Sequence, residues 1–179
     1  MRLNITRAAL AASVAFATPA TAQTVIKDTE LAEARGTVLL PLSLTKNRDL
    51  DFGTVLASGT AGTVTVDANN GTRSVGGAGG VSLVALNPGG RAVFTAVGTA
   101  NQSVDLTLTP PTGNVLNGPS GAQIAVSALG LDGLGGMTAT RNLGTGGTLL
   151  IGVGGTFDIA ANQANGLYTA QFSLTAEYK

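Results

Sequence analysis

Few side chains in this sequence are suited to acid–base or nucleophilic chemistry. The chain of 179 residues contains no histidine and no cysteine. Without these two residue types, most metal sites and most nucleophile–base pairs are excluded. A serine–lysine pair is the remaining nucleophilic arrangement, and only Lys27, Lys46 and Lys179 are available to it. We therefore expect that the protein is not an enzyme and uses no cofactor.

Two acidic stretches are the best candidates for a metal site. Asp49 and Asp51 stand two residues apart, so both carboxylates would lie on one face of a strand, where their oxygens suit calcium. Residues 67–71, Asp-Ala-Asn-Asn-Gly, partly resemble a calcium loop, but the other ligand positions and the closing glutamate are missing. A solvated turn explains the first stretch and an Asn-Gly hairpin turn explains the second, so we expect no bound metal.

Residues 1–22 have the features of an export signal. Arg2 and Arg7 precede an apolar run at residues 8–17. Residues 20–22 (Ala-Thr-Ala) supply the small side chains at which a signal peptidase cleaves. No later apolar run approaches the roughly 18 residues of a membrane-spanning helix. The 10 basic and 10 acidic residues are scattered and form no basic patch. We therefore expect an exported protein with no membrane span and no nucleic-acid partner.

The remaining sequence alternates short apolar segments with glycine-rich turns. Residues 26–34 are the best helix candidate, but the segment is short. Gly152, Gly154 and Gly155 lie within one apolar segment and indicate a bulge or kink. The segments with strand-like alternation, rich in Thr and Val, are residues 37–45, 50–56, 62–68, 80–86, 91–98, 104–109, 124–131, 148–160 and 167–178.

Strands that recur about every 8–12 residues with turns between them predict an all-β sandwich or barrel. We favour a Greek-key β-sandwich over residues 37–179, because the long glycine-rich connections suit crossings between sheets better than tight hairpins. Residues 23–36 would then form an N-terminal arm that precedes this domain.

The last segment of the chain has the most regular pattern. Tyr168, Phe172, Leu174 and Tyr178 share one face with two alanines, and polar residues alternate with them. Such a strand places one face in a core and the other in water. Tyr178 is the penultimate residue, and Gly166 is fourteenth from the C-terminus. This combination resembles the C-terminal motif of chaperone–usher pilins.

Two further motifs extend the resemblance. Residues 49–54, Asp-Leu-Asp-Phe-Gly-Thr, are similar to the L-x-F-G segment of spore-coat-protein-U-type subunits, which belong to archaic pili. They are still more similar to the bacterial domain-of-unknown-function 4402 family, whose members carry a G-G-T-L stretch like residues 146–149. The resemblance covers roughly residues 37–178. The spore-coat relatives usually have a cysteine pair, which this chain lacks.

The resemblance implies an immunoglobulin-like, pilin-like sandwich without its final strand, completed by a β-strand from a neighbour. Gly166, Tyr168, Phe172, Leu174 and Tyr178 would form the strand used in assembly. The implied partners are further copies of the chain or other pilus subunits, a periplasmic chaperone and an outer-membrane usher. The protein would then lie in the periplasm, on the surface or in an extracellular fibre of a Gram-negative bacterium.

The donated strand would come from the N-terminal arm and the residues that follow it. Val25, Leu31 and Val38 are its apolar candidates, although charged residues interrupt their pattern. A flexible or helical arm on a self-completed or terminal subunit is therefore the competing interpretation. The alternative function is a monomeric periplasmic or surface β-sandwich that binds carbohydrate or calcium.

Overall fold

The computed structural model describes residues 27–133 and 135–179. Residues 27–36 are exposed and have no regular secondary structure, and they form a unit separate from residues 37–179. The best helix candidate, residues 26–34, therefore forms no helix in its described part, residues 27–34. A short segment with many charges has no apolar face whose packing could stabilise a helix. The export signal at residues 1–22 and Val25 lie outside the described residues.

The domain is built from short antiparallel strands. Two 3-10 turns, Thr112–Asn114 and Pro119–Gly121, flank β8. The strands of the described residues are β1 Ser43–Arg48, β2 Val55–Ala57, β3 Gly62–Val66, β4 Arg73–Gly77, β5 Val81–Leu83, β6 Ala92–Val97, β7 Ser103–Thr109, β8 Val115–Asn117, β9 Gln123–Leu131, β10 Thr138–Asn142, β11 Thr148–Ile159 and β12 Ser173–Tyr178.

Three sheets organise these strands. The largest runs β1-β6-β11-β3-β4, with β9 added to β11 and β8 added to β9. A second sheet has the order β10-β7-β12, and a third pairs β2 with β5. Apart from the consecutive pairs β3-β4 and β8-β9, neighbours in the large sheet are distant in sequence, so connections cross between sheets. The prediction of an all-β sandwich is confirmed.

Strand β11 joins the two halves of the large sheet. Its residues 148–153 pair with β6, and its residues 155–159 pair with β3. The change of neighbour falls at the glycine-rich stretch 152–155, which is fully buried. An added Cβ on Gly154 would overlap the carbonyl oxygen of Val66, and one on Gly152 would overlap that of Ala68. Glycine is needed here because the backbone at the end of β3 passes directly over β11.

The apolar side chains form two clusters. The larger packs β6 and the first half of β11 against β7 and β12, with Leu106, Leu143 and Ile151 at its centre. The smaller packs β3, β9 and the second half of β11 around Val64, Phe157 and other buried residues. The smaller cluster is covered by β2, β5 and non-strand segments rather than by the three-stranded sheet. The larger cluster is therefore covered by a sheet, whereas the smaller cluster is covered by two short strands and by segments without regular structure.

Several strand boundaries differ from those predicted. Strand β1 begins at Ser43 rather than residue 37, and it continues to Arg48 rather than ending at residue 45. Strands β4, β8 and β10 were not predicted. These segments are short or polar, and their pairing to β3, β9 and β7 through backbone hydrogen bonds leaves no hydrophobic alternation to detect.

Replacing Gly154 by alanine is expected to destabilise the domain strongly, by about 1–3 kcal/mol, because the methyl group would overlap the backbone of Val66 and Ala68. Gly146→Ala is the matched control, since an added Cβ at Gly146 meets nothing within 4 Å. Urea unfolding of both variants measures the difference. Equal stability of the two would show that this contact is not tightly packed.

A second prediction concerns the turn between β3 and β4. The Asp67 carboxylate accepts hydrogen bonds from the amides of Asn69, at 2.6 Å, and Asn70, at 3.1 Å. These two hydrogen bonds, of which the one from the Asn69 amide has the larger effect, hold the pKa of Asp67 below its ordinary value of 3.8. A carboxyl whose pKa is lowered by folding stabilises the fold above its unfolded pKa, and that stabilisation is lost as the pH falls through the lower folded value.

Asp67→Asn should therefore have a lower free energy of unfolding than the parent protein at neutral pH. This difference should shrink as the pH falls below 3.8. Unfolding curves recorded from neutral pH into the acid range give the difference at each pH. A difference that stays constant across this range would contradict the assignment.

Candidate functional site

The C-terminal strand lies at an open edge of its sheet. Strand β12 pairs with β7 on one side, from Ser173 opposite Thr109 to Tyr178 opposite Val104. No strand of the described residues pairs with its other side. An unpaired strand edge presents backbone donors and acceptors that can pair with a further strand.

The pairing identifies which backbone groups face this edge. Lys179 donates its amide to the carbonyl of Ser103, and hydrogen-bonded residues alternate along an antiparallel pair. Consequently Ser173, Thr175 and Glu177 bond to β7. The amides and carbonyls that face away from β7 belong to Leu174, Ala176 and Tyr178.

The segment that ends in β12 has one inward and one outward face. Regular strand geometry is limited to Ser173–Tyr178, preceded by an isolated bridge between Thr169 and Asn117. Alternation of burial nevertheless extends over the whole segment. Buried or half-buried positions are Tyr168, Ala170, Phe172, Leu174, Ala176 and Tyr178, and exposed positions are Thr169, Gln171, Ser173, Thr175 and Glu177. The apolar face predicted from the sequence is thus turned toward the protein.

An apolar groove adjoins the first residues of this segment. We call it the terminal groove, and its volume is about 770 Å³. It ends next to β12, because Phe172 lines it and directly precedes the strand, whereas no residue of β12 lines it. The principal lining residues are Leu50, Phe52 and Val55 from one segment, Tyr168, Ala170 and Phe172 from another, and Ile124, Val126, Leu129, Phe157 and Ile159 from β9 and β11.

The segment of residues 49–57 is held in place by packing and by one arginine. Phe52 packs edge-to-face on Phe157, with ring centroids 4.0 Å apart. The guanidinium of Arg73 donates to the carbonyl of Phe52, at 3.0 Å, and to that of Val84, at 3.0 Å. Gly53 has a φ of +71°, and a Cβ there would overlap the carbonyl of Asn87. The Phe-Gly pair in this motif therefore has a structural explanation.

The opposite segment is secured by fewer interactions. Gln163 donates to the carbonyl of Gln123, at 3.2 Å, and to the hydroxyl of Tyr168, at 2.8 Å. The Tyr168 hydroxyl in turn donates to the carbonyl of Ala164. A Cβ on Gly166 would strike the ring of Pro119, and its φ of +147° also favours glycine. This segment bounds the groove without belonging to a continuous sheet.

Tyr178 connects the end of β12 to the start of the domain. Its hydroxyl accepts a hydrogen bond from the amide of Thr99, at 2.7 Å, and donates to the carbonyl of Leu40, at 2.8 Å. The amide of Leu40 donates to the hydroxyl of Thr99, at 2.7 Å. We call these three residues the tyrosine clasp. It fixes the point at which the chain joins the domain, beside the last residue pair of β12.

Of the five predicted assembly residues, Gly166, Tyr168 and Phe172 line the groove, whereas Leu174 and Tyr178 pack in the larger apolar cluster. Of the predicted donor residues, Leu31 and Val38 are each 95% exposed, and Val25 lies outside the described residues. Sequence reasoning did not assign Leu50, Ile124 or the other residues across the groove. The Phe-Gly pair at residues 52–53 was the only sequence feature that pointed to this region. The other residues that line the groove show no local pattern in the sequence.

The acidic candidates have local partners. Asp49 pairs with Lys46 at 2.6 Å, and Asp51 accepts the amide of Gly53 at 2.7 Å. Asp67 caps its own turn. Within residues 27–133 and 135–179, no group of three or more acidic residues is arranged to hold a metal ion.

A protein-family comparison assigns most of the domain to one family. The family described as a domain of unknown function, DUF4402, matches residues 42–178, which include β1 to β12 and the terminal groove. The chain belongs to the DUF4402 family. Neither a curated protein nor a solved structure matches it. In the part of this DUF4402 protein that the structure describes, no helix has the length and apolar character needed to cross a membrane.

The tyrosine clasp makes a prediction for this DUF4402 domain. Tyr178→Phe removes one hydroxyl and leaves the Thr99 amide and Leu40 carbonyl without their partner, which should cost about 1–3 kcal/mol of stability. Amide exchange should accelerate at Thr99. Tyr168→Phe is the comparison, since it also removes one hydroxyl but should affect the neighbourhood of Ala164 instead. Identical exchange patterns in both variants would contradict a local clasp.

Proposed function

We propose that this protein is an exported, pilin-like structural subunit that assembles into a surface fibre by β-strand complementation. The observation that carries the proposal is the unpaired edge of β12 beside the terminal groove. A strand that paired with the backbone of Leu174, Ala176 and Tyr178 and continued past Phe172 would insert side chains into the groove.

The groove could stabilise a donated strand through both burial and backbone pairing. Each Val- or Leu-sized side chain buried in the groove contributes about 1.5–3 kcal/mol. Within residues 31–38, the uncharged face supplies one such side chain, Val38, with two alanines and a glycine, so the edge hydrogen bonds would have to supply much of the energy that offsets the cost of association. A groove of about 770 Å³ has room for several side chains.

The polarity of the strands favours a donor from a second copy. The chain joins the domain beside Tyr178, the C-terminal end of β12, because the clasp holds Leu40 there. A strand from the same chain that ended at this point would run parallel to β12. A second copy can supply the strand antiparallel to β12, which is the slightly more stable arrangement per residue.

The proposal includes the surroundings that such a subunit requires. Its copies, or other pilus subunits, would be its partners in the fibre. A periplasmic chaperone would cover the groove before assembly, and an outer-membrane usher would receive the subunit. The location would be the periplasm, the cell surface or an extracellular fibre of a Gram-negative bacterium.

The donor strand is expected to come from residues 31–38. Positions 32, 34, 36 and 38 carry Ala, Ala, Gly and Val, whereas positions 31, 33, 35 and 37 include Glu33 and Arg35. Since successive side chains of a strand point to opposite faces, the uncharged face with Val38 is expected to enter the groove. Leu31 would then lie on the outer face.

Four single substitutions test this arrangement in the exported protein. Ala32→Asp and Val38→Asp should abolish the ladder of SDS-resistant oligomers on a gel, because each places a charge in an apolar groove. Leu31→Asp and Thr37→Asp are matched controls that add the same charge on the other face and should preserve the ladders. All four positions are exposed, so thermal unfolding of the monomer should be unchanged.

Deletion of residues 23–36 should also abolish the ladders, and it should remove fibres from micrographs of the cell surface. A stable monomer before and after this deletion would overturn the proposal. If Leu31→Asp and Thr37→Asp abolish the ladders instead, strand exchange is retained, but the opposite face of the donor strand enters the groove.

The second candidate is a monomeric module that binds a small molecule such as a carbohydrate. It is favoured by the groove volume of about 770 Å³, which lies within the usual range of ligand pockets, about 300–1,000 Å³. A monomer that binds oligosaccharide in calorimetric titration, and loses binding with Tyr168→Ala, would support this function in place of assembly.

A further inference from the structure

Three Asn-Gly pairs occur in the sequence, at residues 70–71, 117–118 and 165–166. In such a pair, the backbone nitrogen of the glycine can attack the side-chain carbonyl carbon of the asparagine. Glycine has no Cβ to hinder this approach. Reaction requires that the glycine amide and the asparagine side chain are both free to move, and the three pairs differ in this respect.

The pair at Asn70 is held at both positions. The amide of Gly71 donates to the carbonyl of Asp67, at 2.8 Å. The side-chain oxygen of Asn70 accepts the amide of Thr72, at 2.8 Å. Both reacting groups are therefore occupied within the β3–β4 turn.

The pair at Asn117 is held in a similar way. The amide of Gly118 donates to the carbonyl of Ala122, at 2.8 Å. The side-chain oxygen of Asn117 accepts from Gln123, at 3.1 Å, and its backbone forms a bridge with Thr169. This asparagine lies in β8 and is fixed by sheet pairing.

The pair at Asn165 has none of these restraints. Asn165 and Gly166 are exposed and lie outside regular secondary structure. Among the described residues, the amide of Gly166 has no hydrogen-bond acceptor and the side chain of Asn165 has no partner. Both reacting groups are therefore available.

We propose that Asn165 is a site of spontaneous deamidation in the folded protein. The Gly166 nitrogen loses its proton to solvent and bonds to the Asn165 side-chain carbon, and ammonia leaves as a five-membered succinimide closes. Water then opens the ring at either carbonyl, giving aspartate or isoaspartate. No oxidant or cofactor is involved.

The modification would change the terminal groove. Asn165 lines the groove, as do Asp49 and Asp51, so the product adds a third carboxylate to the groove. The isoaspartate product also lengthens the backbone three residues before Tyr168. This inference is independent of the proposed function, because it requires only the local geometry.

The experiment measures deamidation at all three pairs in one sample. Purified folded protein is incubated at mildly alkaline pH and digested with trypsin, which separates the pairs into peptides 49–73, 92–141 and 142–179. Mass spectrometry with fragment-ion sequencing gives the rate at each asparagine. Asn165 should react at least about tenfold faster than Asn70 and Asn117, whose two hydrogen bonds must open first.

The urea-denatured chain is the reference, and its three rates should be similar. Asn165→Gln is the matched variant and should remove the fast signal from peptide 142–179. Equal rates at the three sites in the folded protein, or the same ranking in the denatured chain, would overturn the inference.

Discussion

The close contact of residues 66–68, where the chain leaves β3, with the glycine-rich stretch of β11 is the constraint on which the rest of the fold depends. Strand β11 pairs with β6 along its first half and with β3 along its second. The end of β3 lies so close that the glycines at 152 and 154 leave no room for a side chain. This contact lies where β11 changes neighbour, so that Ile151 and Val153 belong to the larger apolar cluster and Phe157 and Ile159 to the smaller.

The two regions are covered unequally, and this difference produces the candidate site. The larger cluster lies under the sheet β10-β7-β12. The smaller cluster is covered by the short pair β2-β5 and by the segments at residues 49–57 and 163–172, which leave the terminal groove between them. An incompletely covered core beside an unpaired strand edge is the physical basis for proposing strand complementation.

Polar interactions stabilise the loops of a protein that has no cysteine. Arg73 donates to backbone carbonyls near the groove, and Arg91 donates to the carbonyls of Ala68 and Asn69 near the glycine-rich stretch of β11. Arg141 pairs with Asp132 in a half-buried position. Guanidinium groups suit this role because they present several donors in a fixed plane. Arg73 and Arg91 thereby join segments that are distant in sequence.

The sequence by itself determined the all-β class, the position of the longest strands and the two faces of the C-terminal segment. Thr148–Ile159 and residues 168–178 were predictable because alternation and glycine placement are local properties. Strands β4, β8 and β10, the partner of β12 and the residues across the groove were not predictable. Only the tertiary structure decided these, because backbone pairing and gaps between packed segments depend on residues far apart in the chain and leave no periodic signal.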